Sequence, residues 1–397
     1  MKITRDDAKK VILDSVCLKS MEVVTLENAY NRILAEDIFA KYDIPESDKS
    51  AIDGFSFCME GIKSYPVKLK ITAESKAGDR REKEVKEGEA VFVMTGGVIP
   101  KGADTAVRIE DTEVTGDEVV IKKSPKKGDL INFAGSEITK GEVILQKGQM
   151  LDYKKVSLLA NLGYYLIKVY TKPKIGIIVT GDEVKEPWEE SDKAGVKNVN
   201  LYILKGMLND FADITYYGKV KDDPKSMASL FSSALKENDI LLSSGGASKG
   251  KYDFTKDIAA KIGLDVRFTT TNIRPGRPLI FGQKGEKLFF GLPGYPSALL
   301  VNAYDFLLPA VKKSGGLKEY KNKTVQAAAK EAIRSKEKRV DFVRVNLEYE
   351  DGRIFAKNAL SQQTSNFLSM SKSDALAIID EKRGSVKEGE LIDIIFI

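Results

Sequence analysis

Histidine is absent from this 397-residue chain. That excludes Ser-His-Asp and Cys-His nucleophilic catalysis, imidazole metal ligation and a histidine pH switch. Cysteine is nearly absent: Cys17 and Cys58 are the only two. They suit neither a disulfide framework nor a zinc site, and a reduced, cytoplasmic setting is expected. No apolar run approaches the roughly 20 residues that span a bilayer, so no membrane partner is expected. The first ten residues carry acids and no apolar stretch, so no secretory leader is expected. An excess of one charge is also missing. The 63 Lys and Arg against 58 Asp and Glu leave +5, too even to point to a nucleic-acid partner.

What is present is an ordinary globular composition, 42% apolar and 30% charged, long enough for two to three domains at roughly 150 residues each. Ala8, Val11, Ile12 and Val16 recur at helical spacing. From Asp43 to about Gly148, short β-type runs (Val67–Ile71, Ala90–Met94, Glu118–Ile121) alternate with turns rich in Gly, Pro and Lys. Tyr153–Leu162 reads as a helix stopped by Gly163. From about Lys172 the rhythm is strand, loop, helix. Buried-type strands are expected at Ile175–Val179, Ile240–Leu242 and Leu288–Phe290, with helices at Val199–Leu208, Lys225–Lys236 and Ser297–Val311. This predicts a doubly wound α/β sheet with helices on both faces. Past Ser314-Gly315-Gly316 strand-like runs return, predicting a small C-terminal β domain.

In open α/β sheets ligands sit beyond the carboxyl ends of the strands, and three such ends carry unusual loops. Thr180-Gly181-Asp182-Glu183 offers two acids that could hold Mg²⁺, or simply a glycine turn followed by a solvated acidic loop. In Ser243-Ser244-Gly245-Gly246-Ala247-Ser248-Lys249-Gly250-Lys251-Tyr252-Asp253, three glycines allow backbone N–H groups to converge on a phosphate; the bland alternative is a flexible connector. Gly291-Leu292-Pro293-Gly294-Tyr295-Pro296-Ser297 is stiffened by two prolines and reads as a ligand wall or a rigid turn. Arg274-Pro275-Gly276-Arg277-Pro278 holds two guanidiniums three residues apart, a pair suited to a tetrahedral oxyanion or merely solvated.

These segments, with Ser50-Ala51-Ile52-Asp53-Gly54-Phe55 and Thr95-Gly96-Gly97 through Pro100-Lys101-Gly102-Ala103-Asp104, together resemble the molybdopterin molybdenumtransferases (MoeA and the E domain of gephyrin). Six motifs in family order cover nearly the whole chain. The resemblance implies a multidomain α/β plus β protein. An elongated dimerisation segment is formed by residues 1–42 and 135–171, with a β-rich module at 43–134 inserted in it. A central doubly wound α/β molybdopterin-binding domain follows at 172–315, then a C-terminal β-barrel at 316–397. It implies a homodimer whose active site lies where the α/β domain of one subunit meets the β-rich module of the other. The implied reaction consumes adenylylated molybdopterin and molybdate and yields molybdenum cofactor and AMP. A molybdopterin adenylyltransferase is a candidate partner.

Carried over residue by residue, the resemblance gives catalytic carboxylates Asp53, Glu183 and Asp253, with Glu137 where Asp is usual. Substrate contacts fall on Thr95, Asp182, Gly245, Gly246, Ser248, Gly250, Pro293, Gly294 and Pro296, and a molybdate site on Arg274, Arg277, Ser297, Arg344 and Ser369. Asp53, Glu183 and Asp253 are the expected ligands of Mg²⁺. The chain departs from the family pattern at Arg274 and Arg277, which replace the commoner lysines. Tyr295 stands for Asn, in a loop one residue short before Ser297. Thr270 occupies a position often held by Lys. Two other readings compete: a molybdopterin adenylyltransferase, which the β-rich and C-terminal modules argue against, and a non-catalytic dimeric scaffold, which the three retained acids argue against.

Overall fold

The structure, a computed structural model, describes residues 2–79, 81–190, 193–220, 223–245, 258 and 261–397. The chain forms two compact units. One comprises Met1–Glu36, Lys147–Ser157 and Tyr165–Ile397; the other comprises Asp37–Gln146 and Leu158–Tyr164.

The larger unit is built on a seven-stranded sheet in the order Lys2–Ile3, Asp265–Thr271, Pro278–Lys284, Lys287–Leu292, Ile240–Ser244, Lys174–Thr180, Asp213–Val220. The last four run parallel. Lys174–Thr180 and Ile240–Ser244 are buried almost throughout, which is why they read as continuous apolar runs rather than alternating ones. Helices cover both faces. On one, Ala8 and Ile12 of Arg5–Asp14 and Leu201, Leu204 and Leu208 of Asn200–Leu208 join Phe306 and Val311. On the other, Met227, Phe231 and Leu235 of Pro224–Glu237 pack with Ile258 and Ile262. Asp223 caps Pro224–Glu237 by accepting the Ser226 N–H at 2.8 Å, and proline opens the helix.

The first 14 residues pack with the α/β domain. Lys2–Ile3 extends the sheet as a parallel edge strand beside Asp265–Thr271, and the apolar face of Arg5–Asp14 is buried in the α/β core. Ser297–Val311 is the expected apolar helix, with a π turn inside it. Pro296–Asn302 passes through a π turn, Ala303–Leu307, into Leu308–Ser314. The π turn carries Asp305, which is fully buried. Its carboxylate accepts both arms of the Arg5 guanidinium at 2.7 Å and the Lys9 ammonium at 2.6 Å. Burial pushes Lys9 down from its ordinary pKa, against the pull of Asp305.

Downstream, Val340–Glu350, Arg353–Asn358, Val325–Ala329, Leu391–Phe396 and Ala375–Ile379 pair in succession, and the last returns to the first, closing a five-stranded barrel. Ile273–Arg274 leaves the α/β domain to pair parallel with Val340–Asp341 at its edge. Met21–Thr25 and Leu166–Tyr170 form an antiparallel ribbon. In the smaller unit a six-stranded sheet runs Thr105–Arg108, Gly54–Phe57, Glu89–Val93, Val67–Ser75, Glu118–Ile121, Thr112–Thr115. Phe55, Phe57, Leu69 and Val119 fill its core. Among the described residues no helix is long and apolar enough to cross a membrane.

Removing the buried acid leaves Arg5 and Lys9 without their counter-charge. Asp305→Ala should lower the unfolding free energy by about 3 kcal/mol, read from urea denaturation. A loss under about 1 kcal/mol would mean that the two cations find water instead.

Candidate active site

Three parallel strands end together at Thr180, Ser244 and Leu292, so Ser243, Ser244, Gly291 and Leu292 are strand residues rather than loop residues. The Gly245 N–H donates to the Leu292 carbonyl at 3.1 Å. Its backbone is left-handed, φ +98°, and a Cβ there would lie 2.5 Å from the Thr180 carbonyl oxygen. Only glycine fits this approach. Asn200, at the start of its helix and buried, clamps the same point. Its amide donates to Ser244 Oγ and to the Gly294 carbonyl, both at 2.8 Å. The Asn200 carboxamide oxygen is buried without a partner.

These strand ends form the floor of a cleft of about 1160 Å³ lined by Glu183, Gly245, Pro293, Gly294 and Pro296 and by Arg274 and Arg277. A hypothetical Cβ on Gly181 would lie 2.7 Å from Glu183 Oε1, so the carboxylate folds back over the glycine turn. The segment after Glu183 is tied down by Glu186, a buried acid that accepts from Tyr216 Oη at 2.5 Å and from Asn198 Nδ2 at 3.2 Å. Burial, with the bond to Glu186, pushes the Tyr216 phenol well above its usual pKa. The arginine turn is fixed from beneath. Asn302 Nδ2 donates to the Gly276 and Ala298 carbonyls at 2.9 and 3.0 Å, and the Thr271 N–H donates to the Arg277 carbonyl at 2.8 Å. Both arginine side chains are exposed.

Other predicted residues are placed differently. Of the five expected oxyanion donors, only Arg274 and Arg277 line the cleft. Ser297, Arg344 and Ser369 are buried, at 2%, 3% and 0% exposure. Ser297 Oγ donates to the Thr364 carbonyl at 2.6 Å, and Ser369 Oγ to that of Ala359 at 2.8 Å. Arg344 donates to the Ser361 and Gln363 carbonyls at 2.8 and 3.0 Å. They bind the loop that presents Thr364 and Ser365 to the cleft, while Ala298, beside Ser297, faces it. The Arg344 Nε is buried without a partner, and burial holds its pKa below the ordinary arginine value.

Asp182 is exposed and lies off the cleft wall. Gly246, Ser248, Gly250 and Asp253 lie outside the described residues. Asp53, Thr95 and Glu137 belong to the smaller unit. There Asp53 Oδ1 accepts the Thr95 N–H at 2.7 Å and its hydroxyl at 3.0 Å, while Glu137 is exposed. The sequence reading missed Asn200, Lys2, Lys338 and Arg339, all on the cleft. Lys338 and Arg339 sit in a mixed charge run that reads as a solvated surface, and Lys2 carries no periodic signal.

Three family models match in order: MoeA N-terminal region (domain I and II) at residues 3–163, a probable molybdopterin binding domain at 176–313, and MoeA C-terminal region (domain IV) at 326–397. The molybdopterin molybdenumtransferase of Haemophilus influenzae is 30% identical over 400 residues, 99% of this chain and 98% of its own. That of a Nostoc species is 31% identical over 368 residues, 90% of this chain and 84% of its own. The crystal structure of the molybdopterin biosynthesis MoeA protein from Pyrococcus horikoshii OT3 superposes with a TM-score of 0.86 at 31% identity over 100% of both chains. Matched along its whole length in sequence and in fold, the chain belongs to the molybdopterin molybdenumtransferase (MoeA) family.

Proposed function

We propose that this protein inserts molybdenum into adenylylated molybdopterin, taking molybdate as second substrate and releasing molybdenum cofactor and AMP. The observation that carries this reading is the single cleft that sets permanent guanidinium charge, Arg274 and Arg277, over a glycine-lined parallel strand terminus. Full-length likeness to molybdenumtransferases supports it against an adenylyltransferase or a scaffold.

The chemical difficulty is to bring two anions together. Molybdate and a phosphorylated pterin repel, and each holds water. Guanidiniums fixed before the substrates arrive cancel the repulsion and replace the hydration shells at no further reorganisation cost. The soft sulfur ligands for molybdenum belong to the pterin, so a protein without histidine and with two cysteines loses nothing essential.

Glu183 is the one carboxylate among the described residues on the cleft wall. Among those residues no group of three potential ligands gathers. Mg²⁺ in its usual mode takes one or two protein carboxylates, completed by substrate phosphate oxygens and water. Glu183 would hold it, with Asp53 and Asp253 as the further acids in this reading. When bound, the ion would neutralise phosphoryl charge near the AMP leaving group.

A homodimer belongs to the same proposal. The ribbon leaves Met21 and Val23 at 55% and 59% exposure, with Tyr165 and Leu166 also exposed, an apolar face of the kind that subunit contacts cover. A molybdopterin adenylyltransferase would supply the activated pterin.

Incubating the protein with adenylylated molybdopterin, molybdate and Mg²⁺ should release AMP, quantified by chromatography; no release under these conditions would sink the reading. Arg274→Ala should raise the molybdate KM by about tenfold or more while changing pterin affinity less, given the worth of a charge-assisted bond. Equal losses would count against a dedicated oxyanion site. Glu183→Gln, nearly isosteric, should cut AMP release at least about a hundredfold with an unchanged melting temperature, if acid–base or metal-holding chemistry is lost; turnover within twofold of the parent would remove Glu183 from the reaction.

A further inference from the structure

We propose that Lys2, from the N-terminal edge strand, is a substrate-binding cation that meets a tetrahedral oxyanion, either the pterin phosphate or molybdate, alongside Arg274 and Arg277. The inference rests on the molybdenumtransferase reading and deepens it.

The strand Lys2–Ile3 is only two residues long, yet its position is fixed. Lys2 lies opposite Thr270 and Ile3 opposite Thr271 in parallel register. Thr4 caps the helix that follows by accepting the Asp7 N–H. Arg5 then anchors the chain twice: its guanidinium grips the buried Asp305, and its N–H donates to Asn272 Oδ1 at 2.7 Å. Asn272 immediately precedes Ile273–Arg274, so the same contacts that hold the edge strand hold it next to the arginine turn. Successive strand residues face opposite sides. Ile3 packs against the α/β core, and Lys2 is exposed and lines the cleft.

Lys2 has no carboxylate partner among the described residues, whereas Arg339 on the same cleft is committed to Asp341 at 2.8 Å. An uncompensated ammonium on the same cleft as two exposed guanidiniums sets like charge around one space in the free protein. An arriving oxyanion relieves that repulsion, so the charge contributes more to the bound state than to the empty one. Lysine suits the role because its compact, mobile charge adapts to an anion already oriented by the planar arginines. The neighbour across the strand pair, Thr270, is neutral.

The test uses the full chain and two probes, molybdopterin and sodium molybdate, each titrated separately by calorimetry under anaerobic conditions at low and high salt. Lys2→Ala should weaken one of the two by about tenfold at low salt, with the difference shrinking at about 0.5 M salt as expected of an exposed charge. A loss confined to molybdopterin assigns the pterin phosphate; a loss confined to molybdate assigns the metal oxyanion. Lys2→Arg should retain binding. Lys2→Gln should lose it as Lys2→Ala does, because the length is kept and the charge is not. Binding of both probes by Lys2→Ala within twofold of the parent overturns the inference and leaves the molybdenumtransferase reading standing. A loss that Lys2→Arg shares assigns the effect to edge-strand packing and also overturns it. Failure of the parent chain to bind either probe brings down both readings.

Discussion

The close approach of three parallel strand ends is the constraint on which the rest depends. Thr180, Ser244 and Leu292 terminate so near one another that the next residue, Gly245, has no room for a Cβ. Asn200 closes the gap by bonding at once to one strand end, Ser244, and to Gly294 in the loop that leaves another. Because the strands are buried on both faces, their ends cannot drift without opening the helix layers. The site is therefore rigid at its floor, which is what preorganised charge requires.

Charge is handled in two ways. Where it is buried for stability it is matched, as at Asp305, whose carboxylate serves two cations at once. Where it faces the cleft it is left largely unmatched, and the backbone beneath is fixed instead. Asn302 holds the arginine turn through the Gly276 carbonyl, and Arg344, Ser297 and Ser369 hold the loop bearing Thr364 and Ser365. Electrostatic energy withheld from folding remains for anions that bind. The residues that appear in a sequence as oxyanion donors can thus act one step back, on the loop that presents the donors.

Much of this was legible in the sequence. Apolar runs with glycine and proline at their ends located the buried strands and the cleft loops, because parallel strands buried on two faces cannot alternate. Legibility failed where tertiary context decides. Ser243 and Ser244 look like loop residues, but small buried hydroxyls fit inside a sheet. A two-residue strand such as Lys2–Ile3 has no periodicity to detect, and only its register beside Thr270 gives it meaning. The π turn at Ala303–Leu307 keeps helical composition and leaves no mark. The family resemblance groups Ser297, Arg344 and Ser369, but which partner each side chain takes depends on a loop distant in sequence.

The strand pairing of Ile273–Arg274 with Val340–Asp341 stitches the barrel to the α/β layer along a common seam. The peptide that carries Arg274 is at once the end of one architectural body and the margin of the next, and Lys338 and Arg339 reach the cleft only because that seam holds. The barrel is for this reason not a detachable cassette. Recombination between relatives would have to inherit both sides of the seam together, because Val340, Phe342 and Leu376 of the barrel also pack into the α/β core.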